Sequence, residues 1–416
     1  MNQSNRRSFI KNTLAGLSAF TFDSLLGPIQ GIHNIVFAQT QRGVQSQADN
    51  GPFIVVFQRG AADGLSMLSP LEDPDFNAAR PPEMRFSQNQ SSGKIQSGAT
   101  NFYWHPEATE LAGLFQEKKL LVWQAVGIMN ETRSHFEAQE MIELGVSDLT
   151  HLPDQLGWMA RQSMQQPLKS NTRIGTTLYG GSNHFPRAFL GSLDNISIRD
   201  LQSGISLPNG DAGLNAVLSL SQADFSHPAS STIKEHFESM SSINRLMPKG
   251  KYNKVIPYSS AGKTEYSNSD PSVGLRSLAR LLTLNVPIQY AWIDQLGWDT
   301  HENQTGRFNN LTQNLGHALL AFSQDMEARS QAYTLVVMTE FGRRLRSNRS
   351  NGTDHGHGGL AMVLGDRIPG GQVVGQWPGL SAGHLDRQVD LAVTTDYLEV
   401  LRQAKRWHSG YGEVLS

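Results

Sequence analysis

The chain has 416 residues, enough for one large domain or two smaller ones. Its 35 Lys and Arg against 37 Asp and Glu leave a net charge of −2 with no long basic tract, which argues against nucleic acid as a partner. Cysteine is absent, so disulfides, thiolate zinc sites and cysteine nucleophiles are excluded, and any metal must be held by carboxylates, histidines and main-chain or amide oxygens.

The N-terminus reads as an export signal. Ser4-Asn5-Arg6-Arg7-Ser8-Phe9-Ile10-Lys11 places paired arginines before an apolar pair and a lysine. A modest apolar stretch follows over 14–26, and Val36-Phe37-Ala38 presents small residues where a signal peptidase reads. These features predict a removable twin-arginine signal over 1–38, a mature chain over 39–416, and a periplasmic or extracellular location. The alternative is an ordinary amphipathic first helix that contains Arg-Arg. The apolar stretch is short and polar for a membrane span, which needs about 20 apolar residues, so no stable span is expected in the mature protein.

Beyond the signal, 53–57 reads as a short buried strand running into the loop Arg59-Gly60-Ala61-Ala62-Asp63-Gly64. The polar stretch 77–101 reads as an irregular loop or insertion. Helical spacing covers 106–118, a second strand covers 120–126, and a helix is predicted over 134–145. From about 165 to 265 the chain is rich in Ser, Asn and Gly with weak periodicity, which predicts a less regular insertion or cap. Rhythm then returns: helix over 273–284, strand over 288–293, long amphipathic helix over 309–329, and strands over 333–338 and 360–364. Helices between buried apolar strands indicate βαβ units, hence an α/β fold around a largely parallel sheet.

The chemically capable residues cluster at strand ends, where ligands of such sheets gather. Asp63 follows the first strand, and Ser134 with His135 follows the second. Gly297-Trp298-Asp299-Thr300-His301 follows the strand ending near 293. Glu340 follows Met338-Thr339, and Asp354-His355-Gly356-His357 directly precedes a strand. Carboxylate and imidazole ligands of this kind suit one or two divalent ions: zinc, manganese, magnesium or calcium. Each residue also has a structural reading. Asp63-Gly64 is a common turn pair, Ser134 with Glu137 forms a capping box, and Glu340 has Arg343 and Arg344 nearby as ion-pair partners.

Arg59-Gly60-Ala61-Ala62-Asp63-Gly64-Leu65, Arg133-Ser134-His135-Phe136-Glu137-Ala138-Gln139, Gly157-Trp158, Gly297-Trp298-Asp299-Thr300-His301, Thr339-Glu340-Phe341-Gly342-Arg343 and Gly352-Thr353-Asp354-His355-Gly356 stand in this order along the chain. Together they resemble the bacterial family called domain of unknown function 1501, whose members typically carry twin-arginine signals. That family is grouped with the alkaline phosphatase and sulfatase superfamily. The resemblance implies an α/β/α sandwich around a mostly parallel sheet, with two divalent metals beside a nucleophile. Carried onto this chain, it makes Asp63 the first-strand carboxylate ligand and Ser134 the nucleophile. It makes Asp299 and His301 ligands of one metal, completed by His355 or His357, and Glu340 the ligand that joins Asp63 at the second. Phe341 departs from the superfamily, which has a histidine there, so the second metal is in doubt. His135 is also outside the phosphatase pattern and stands ready as the missing imidazole or as a general acid.

Two functions follow. The first is an exported metal-dependent hydrolase of phosphate or sulfate esters, acting on a small-molecule or polymer-borne anionic ester, with Arg59, Arg133 or Arg343 clamping its outer oxygens. The second is a non-catalytic, metal-containing binding or assembly protein of the cell envelope, for which a protein partner is expected.

Overall fold

The computed structural model describes residues 50–150, 156–165, 178–182, 185–192, 194–205 and 228–409, with scattered positions over 212–219 and the backbone alone over 228–236. The expected signal over 1–38 lies outside the described residues. In chain order the strands are β1 (Phe53–Gln58), β2 (Leu68–Ser69), β3 (Gly93–Ser97), β4 (Thr100–Trp104), β5 (Leu120–Gly127), β6 (Leu178–Gly180) and β7 (Asn195–Ser197). They continue with β8 (Tyr290–Gln295), β9 (Thr334–Thr339), β10 (Arg343–Ser347), β11 (Thr353–His355), β12 (Gly359–Gly365), β13 (Val373–Val374) and β14 (Thr395–Asp396). The α-helices are α1 (Gly64–Met67), α2 (Pro74–Ala79), α3 (Thr109–Gln116), α4 (His135–Leu144), α5 (Trp158–Met164), α6 (Pro228–Leu246), α7 (Ser272–Thr283), α8 (Gln304–Ala328) and α9 (Tyr397–Ser409).

Among the described residues a nine-stranded sheet runs in the order β13-β5-β12-β9-β1-β8-β6-β7, with β14 also on β5. Along β1 every side chain is buried, and alternate residues feed two different cores, as the two-residue period of a strand requires. Ile54 and Val56 pack with Leu111 of α3, Leu278 of α7 and Leu315 of α8. Phe53, Val55 and Phe57 pack with Met141 of α4, Trp158 of α5 and Val400 of α9. Helices therefore cover both faces, and the expected α/β/α sandwich is the observed one. A continuous apolar strand is the signature of a sheet buried on both sides, where each large side chain contributes about 1.5–3 kcal/mol.

Strand direction is where the expectation needs refining. β1 pairs in parallel with β8 and β9, but β12 is antiparallel to both β5 and β9. The reversal brings the start of β12 to the edge where β1, β5, β8 and β9 end. The Asp354-His355-Gly356-His357 segment reaches that edge from the opposite chain direction, which explains why it precedes its strand.

Two loop expectations change as well. The stretch 77–101 contains β3 and the start of β4, an antiparallel pair joined with β2 in a small separate sheet. Within 165–265, read as a less regular insertion, β6 and β7 extend the main sheet in parallel from β8. Both strands are only three residues long, too short for periodicity to register. Among the described residues no helix is long and apolar enough to cross a membrane.

Candidate metal centre

The site begins with the turns that leave β1, β8 and β9. Gly60 has φ of +114°, and a Cβ there would lie 2.3 Å from the Asp299 amide nitrogen, so only glycine lets these two turns meet. Ala61 follows with φ of +60°, a left-handed conformation that costs a non-glycine residue about 1–2 kcal/mol. The reason is Glu340. Its carboxylate accepts the Gly60 amide at 2.9 Å and the Ala61 amide at 2.8 Å, a backbone nest closed around an anion. Gln139 Nε2 adds a third donor at 2.7 Å. Burial opposes the charge, yet His135 and the Ala61 and Gly60 amides outweigh it and hold the Glu340 pKa at about 2.

Four ligand atoms converge in front of this nest. His355 Nε2 lies 3.0 Å from His135 Nε2, 2.9 Å from His301 Nε2 and 3.4 Å from Asp299 Oδ1. Asp299 Oδ1 lies 3.6 Å from His135 Nε2 and 3.0 Å from His301 Nε2. The edges of a tetrahedral zinc site with bonds of 2.0–2.1 Å are about 3.3–3.4 Å, so these separations match a coordination shell. His135, Asp299 and His355 form a mutually close triad, with His301 joined to it through the other two. The group faces solvent: the side chains of His301 and Asp299 are 44% and 47% exposed.

His355 and His301 turn their other nitrogen to an acceptor, and that of His135 lies within ion-pair distance of one. His355 Nδ1 is 2.9 Å from the Arg133 carbonyl, which only accepts, so the ring donates there and its Nε2 lone pair points inward. Burial and the neighbouring cations lower the His355 pKa, which keeps that lone pair free. His301 Nδ1 stands 3.3 Å from Asp354 Oδ1, itself held by Asn348 Nδ2 at 3.0 Å. His135 Nδ1 faces Glu340 Oε1 at 3.5 Å. Ring nitrogens this close to one another either share a proton or lie around a cation. Histidines that ligate metals nearly always donate their second nitrogen to a carboxylate or carbonyl in this way. The donor set therefore fits a divalent ion.

Around the ligands, Phe341 stacks on His135 at 5.0 Å and approaches His355 at 5.0 Å. The residue expected to mark a lost ligand is thus a wall that packs two imidazoles. Arg343 binds Asp299 Oδ1 at 2.5 Å and reaches the Ala61 and Thr353 carbonyls, tying three turns together. Burial raises the Asp299 pKa, but Arg343 and then His301 and His135 outweigh it and hold it below its ordinary value.

Several expected site residues do not join the group. Asp63 is sealed beneath α1: Arg80 Nη1 lies 2.6 Å from its Oδ2, and Gln304 Nε2 and Ser66 Oγ donate at 2.7 and 2.8 Å. Its carboxylate and that of Glu340 are each consumed by separate donors, so the expected second metal position is not assembled. His357 Nδ1 lies 2.9 Å from Asp386 Oδ2 and its Nε2 lies 2.9 Å from the Ile128 carbonyl, so both ring nitrogens face partners outside the group. His355 is the histidine that completes the group. Ser134 caps α4, its hydroxyl accepting from the Glu137 amide at 3.5 Å. The three arginines expected as anion clamps are all engaged within the protein: Arg59 with Glu143 and Asp294, Arg133 with Asp386 and Asp390, Arg343 with Asp299. A cavity of about 270 Å³ lined by Phe86, His105, Gln304 and Phe308 lies elsewhere and includes none of the four ligands.

Sequence reasoning missed Arg80, Gln139, Gln304 and the Asp386–Asp390 turn. Gln139 carried a usable signal, since it lies four residues after His135 on the same face of α4.

Fold and site together define a mixed α/β sandwich with a cluster of histidine and carboxylate side chains, a candidate metal site, on the edge where its parallel strands end. The chain belongs to the family described as Protein of unknown function (DUF1501), which matches residues 52–401. No curated protein matches its sequence. Among solved structures it is similar to the C-terminal periplasmic domain of EcEptC from Escherichia coli, in a zinc complex, with 10% identity and a TM-score of 0.35 over 76% of this chain and 73% of that one. A second structure of that domain gives 10% and 0.34 over 76% and 72%. Ps i-CgsB in complex with k-i-k-neocarrahexaose gives 10% and 0.35 over 87% and 73%. Scores this low leave the chain's own topology as the ground for its fold.

Proposed function

We propose that this protein is an exported hydrolase of phosphate or sulfate esters built around one divalent ion held by His135, Asp299 and His355, with His301 beside it and a coordination position left open for water or the ester. The observation that carries the reading is the mutual approach of His135 Nε2, His355 Nε2 and Asp299 Oδ1 at 3.0–3.6 Å, with His301 Nε2 close to the latter two. When bound, the ion supplies Lewis acidity, polarising an ester oxygen and easing deprotonation of water. The protein's own groups do the rest. Arg343 keeps Asp299 charged and aimed, and Phe341 excludes water from behind the rings. The N-terminus of α4 opens beside His135 and favours a negatively charged substrate group. Exposure of Asp299 and His301 leaves room for a polymer-borne ester as well as a small one. Export rests on Arg6-Arg7 and on Ala38 as a cleavage position.

Mature protein loaded with zinc or manganese should hydrolyse aryl phosphate or aryl sulfate esters, and His355→Ala should lose both the ion and the activity. Metal-loaded protein inactive on a broad ester panel contradicts this reading. It would favour a non-catalytic envelope protein with a structural ion, a role that the structural use of Asp63 and Glu340 supports.

A further inference from the structure

We infer that Arg133 is a positioning residue for the metal group, locked in place by Asp386 and Asp390. The inference rests on the metal-binding reading above. Arg133 touches the site only through its carbonyl, which accepts from His355 Nδ1 at 2.9 Å. That one bond sets the His355 tautomer and ring direction. Two residues later the same segment supplies His135, so Arg133 couples two ligands that come from different elements.

The carbonyl stays put because the side chain is held at several points. Arg133 Nε lies 3.1 Å from Asp390 Oδ2, Nη2 bonds both Asp390 and Asp386, and Nη1 donates to the Glu131 carbonyl at 2.9 Å. The aspartates are fixed in turn. Asp390 is wholly buried, and the amide and carbonyl of Asp386 and Asp390 bond each other at 2.9 and 3.0 Å around a turn with Arg387 and Gln388 at positive φ. Asp386 Oδ2 also lies 2.9 Å from His357 Nδ1, and the other nitrogen of that ring lies 2.9 Å from the Ile128 carbonyl at the start of the same loop. The loop 128–134 is thus fastened at both ends to the 386–390 turn and to His357. Release of the guanidinium frees the Arg133 peptide, and His355 is then free to place a proton on Nε2 and lose its inward lone pair.

The test is zinc affinity by chelator competition, with the visible spectrum of the cobalt-loaded protein and the melting temperature of the metal-free form. Arg133→Met, Asp386→Ala and Asp390→Asn should each weaken zinc binding about 10- to 100-fold, the usual cost of losing an outer partner of a ligand. Each should also alter the cobalt spectrum, and Arg133→Met with Asp386→Ala should be less than additive. Glu131→Gln removes the charge of the exposed Glu131–Arg387 pair between the same two segments while keeping the Glu131 carbonyl that Arg133 uses, and should change neither readout. If buried Asp390 does not tolerate substitution, the partly exposed Arg133 and Asp386 carry the test. Folded variants with wild-type zinc affinity and cobalt spectrum overturn the inference. Wild-type protein that binds no zinc or cobalt overturns the metal reading itself, and is told apart by its failure before any substitution.

Discussion

Asp63 and Asp299 stand in matching places, each in the turn that leaves one of two neighbouring parallel strands, and they have opposite fates. Asp63 is 1% exposed and surrounded by Arg80, Ser66 and Gln304. Asp299 keeps 47% of its side chain exposed, with Oδ1 facing three imidazoles. Position at the edge of the sheet brings a carboxylate to the right neighbourhood. The donors around it decide whether its oxygens serve the fold or a ligand.

Three substitutions sharpen this contrast. The largest effect on folding is expected for Asp63→Asn, which leaves buried Arg80 without its counter-charge. Breaking such a pair costs about 3–5 kcal/mol, measurable by chemical denaturation, while metal content should not change. Loss of metal would place Asp63 in the site after all. The pair has a pH signature too. Burial opposes the Asp63 charge, but Arg80 and the hydrogen bonds outweigh it and put the folded pKa below 3.8. Its stabilisation is therefore full above that pH and fades as pH falls through the folded value, so the gap between wild type and Asp63→Asn should narrow on acidification.

Asp299→Ala should do the reverse, losing the ion while the metal-free protein stays nearly as stable as wild type, because its partners Arg343 and His301 retain other bonds. A large fall in metal-free stability would make Asp299 a second Asp63. Smallest is Ser134→Ala. As a cap its loss costs about 1 kcal/mol and leaves metal content and any ester hydrolysis intact. Abolished turnover with the ion retained would give Ser134 the nucleophile's role.

Much of the fold was legible because buried strands declare themselves as apolar runs, and 53–57, 120–126, 288–293, 333–338 and 360–364 each overlap a strand of the main sheet, to within two residues at the start. Direction was not legible, since an apolar run reads the same either way, and β12 proved antiparallel. At the site, Asp299, His301 and His355 were picked out by residue type among turn residues. Asp63, Glu340 and His357 have the same local look, and the structure places each of them against other partners. Their partners lie far away in sequence: Arg80 inside a polar stretch read as loop, the Gly60 and Ala61 amides 280 and 279 residues from Glu340, and Asp386 in a turn that carried no motif. Hydrogen bonds of that span leave no periodic trace, so a consumed carboxylate and an available one look alike until the chain is folded.

The central claim is that one ion is held by imidazole nitrogens and Asp299 in front of the Glu340 nest. Its most direct test is to count metal per chain and measure the X-ray absorption of the zinc-loaded mature protein. The account predicts one ion per chain with two or three imidazole nitrogens and a carboxylate oxygen at about 2.0–2.2 Å, and no second ion even in excess zinc. Two ions per chain with Asp63 and Glu340 oxygens in the shell, or a shell without imidazole, would contradict it.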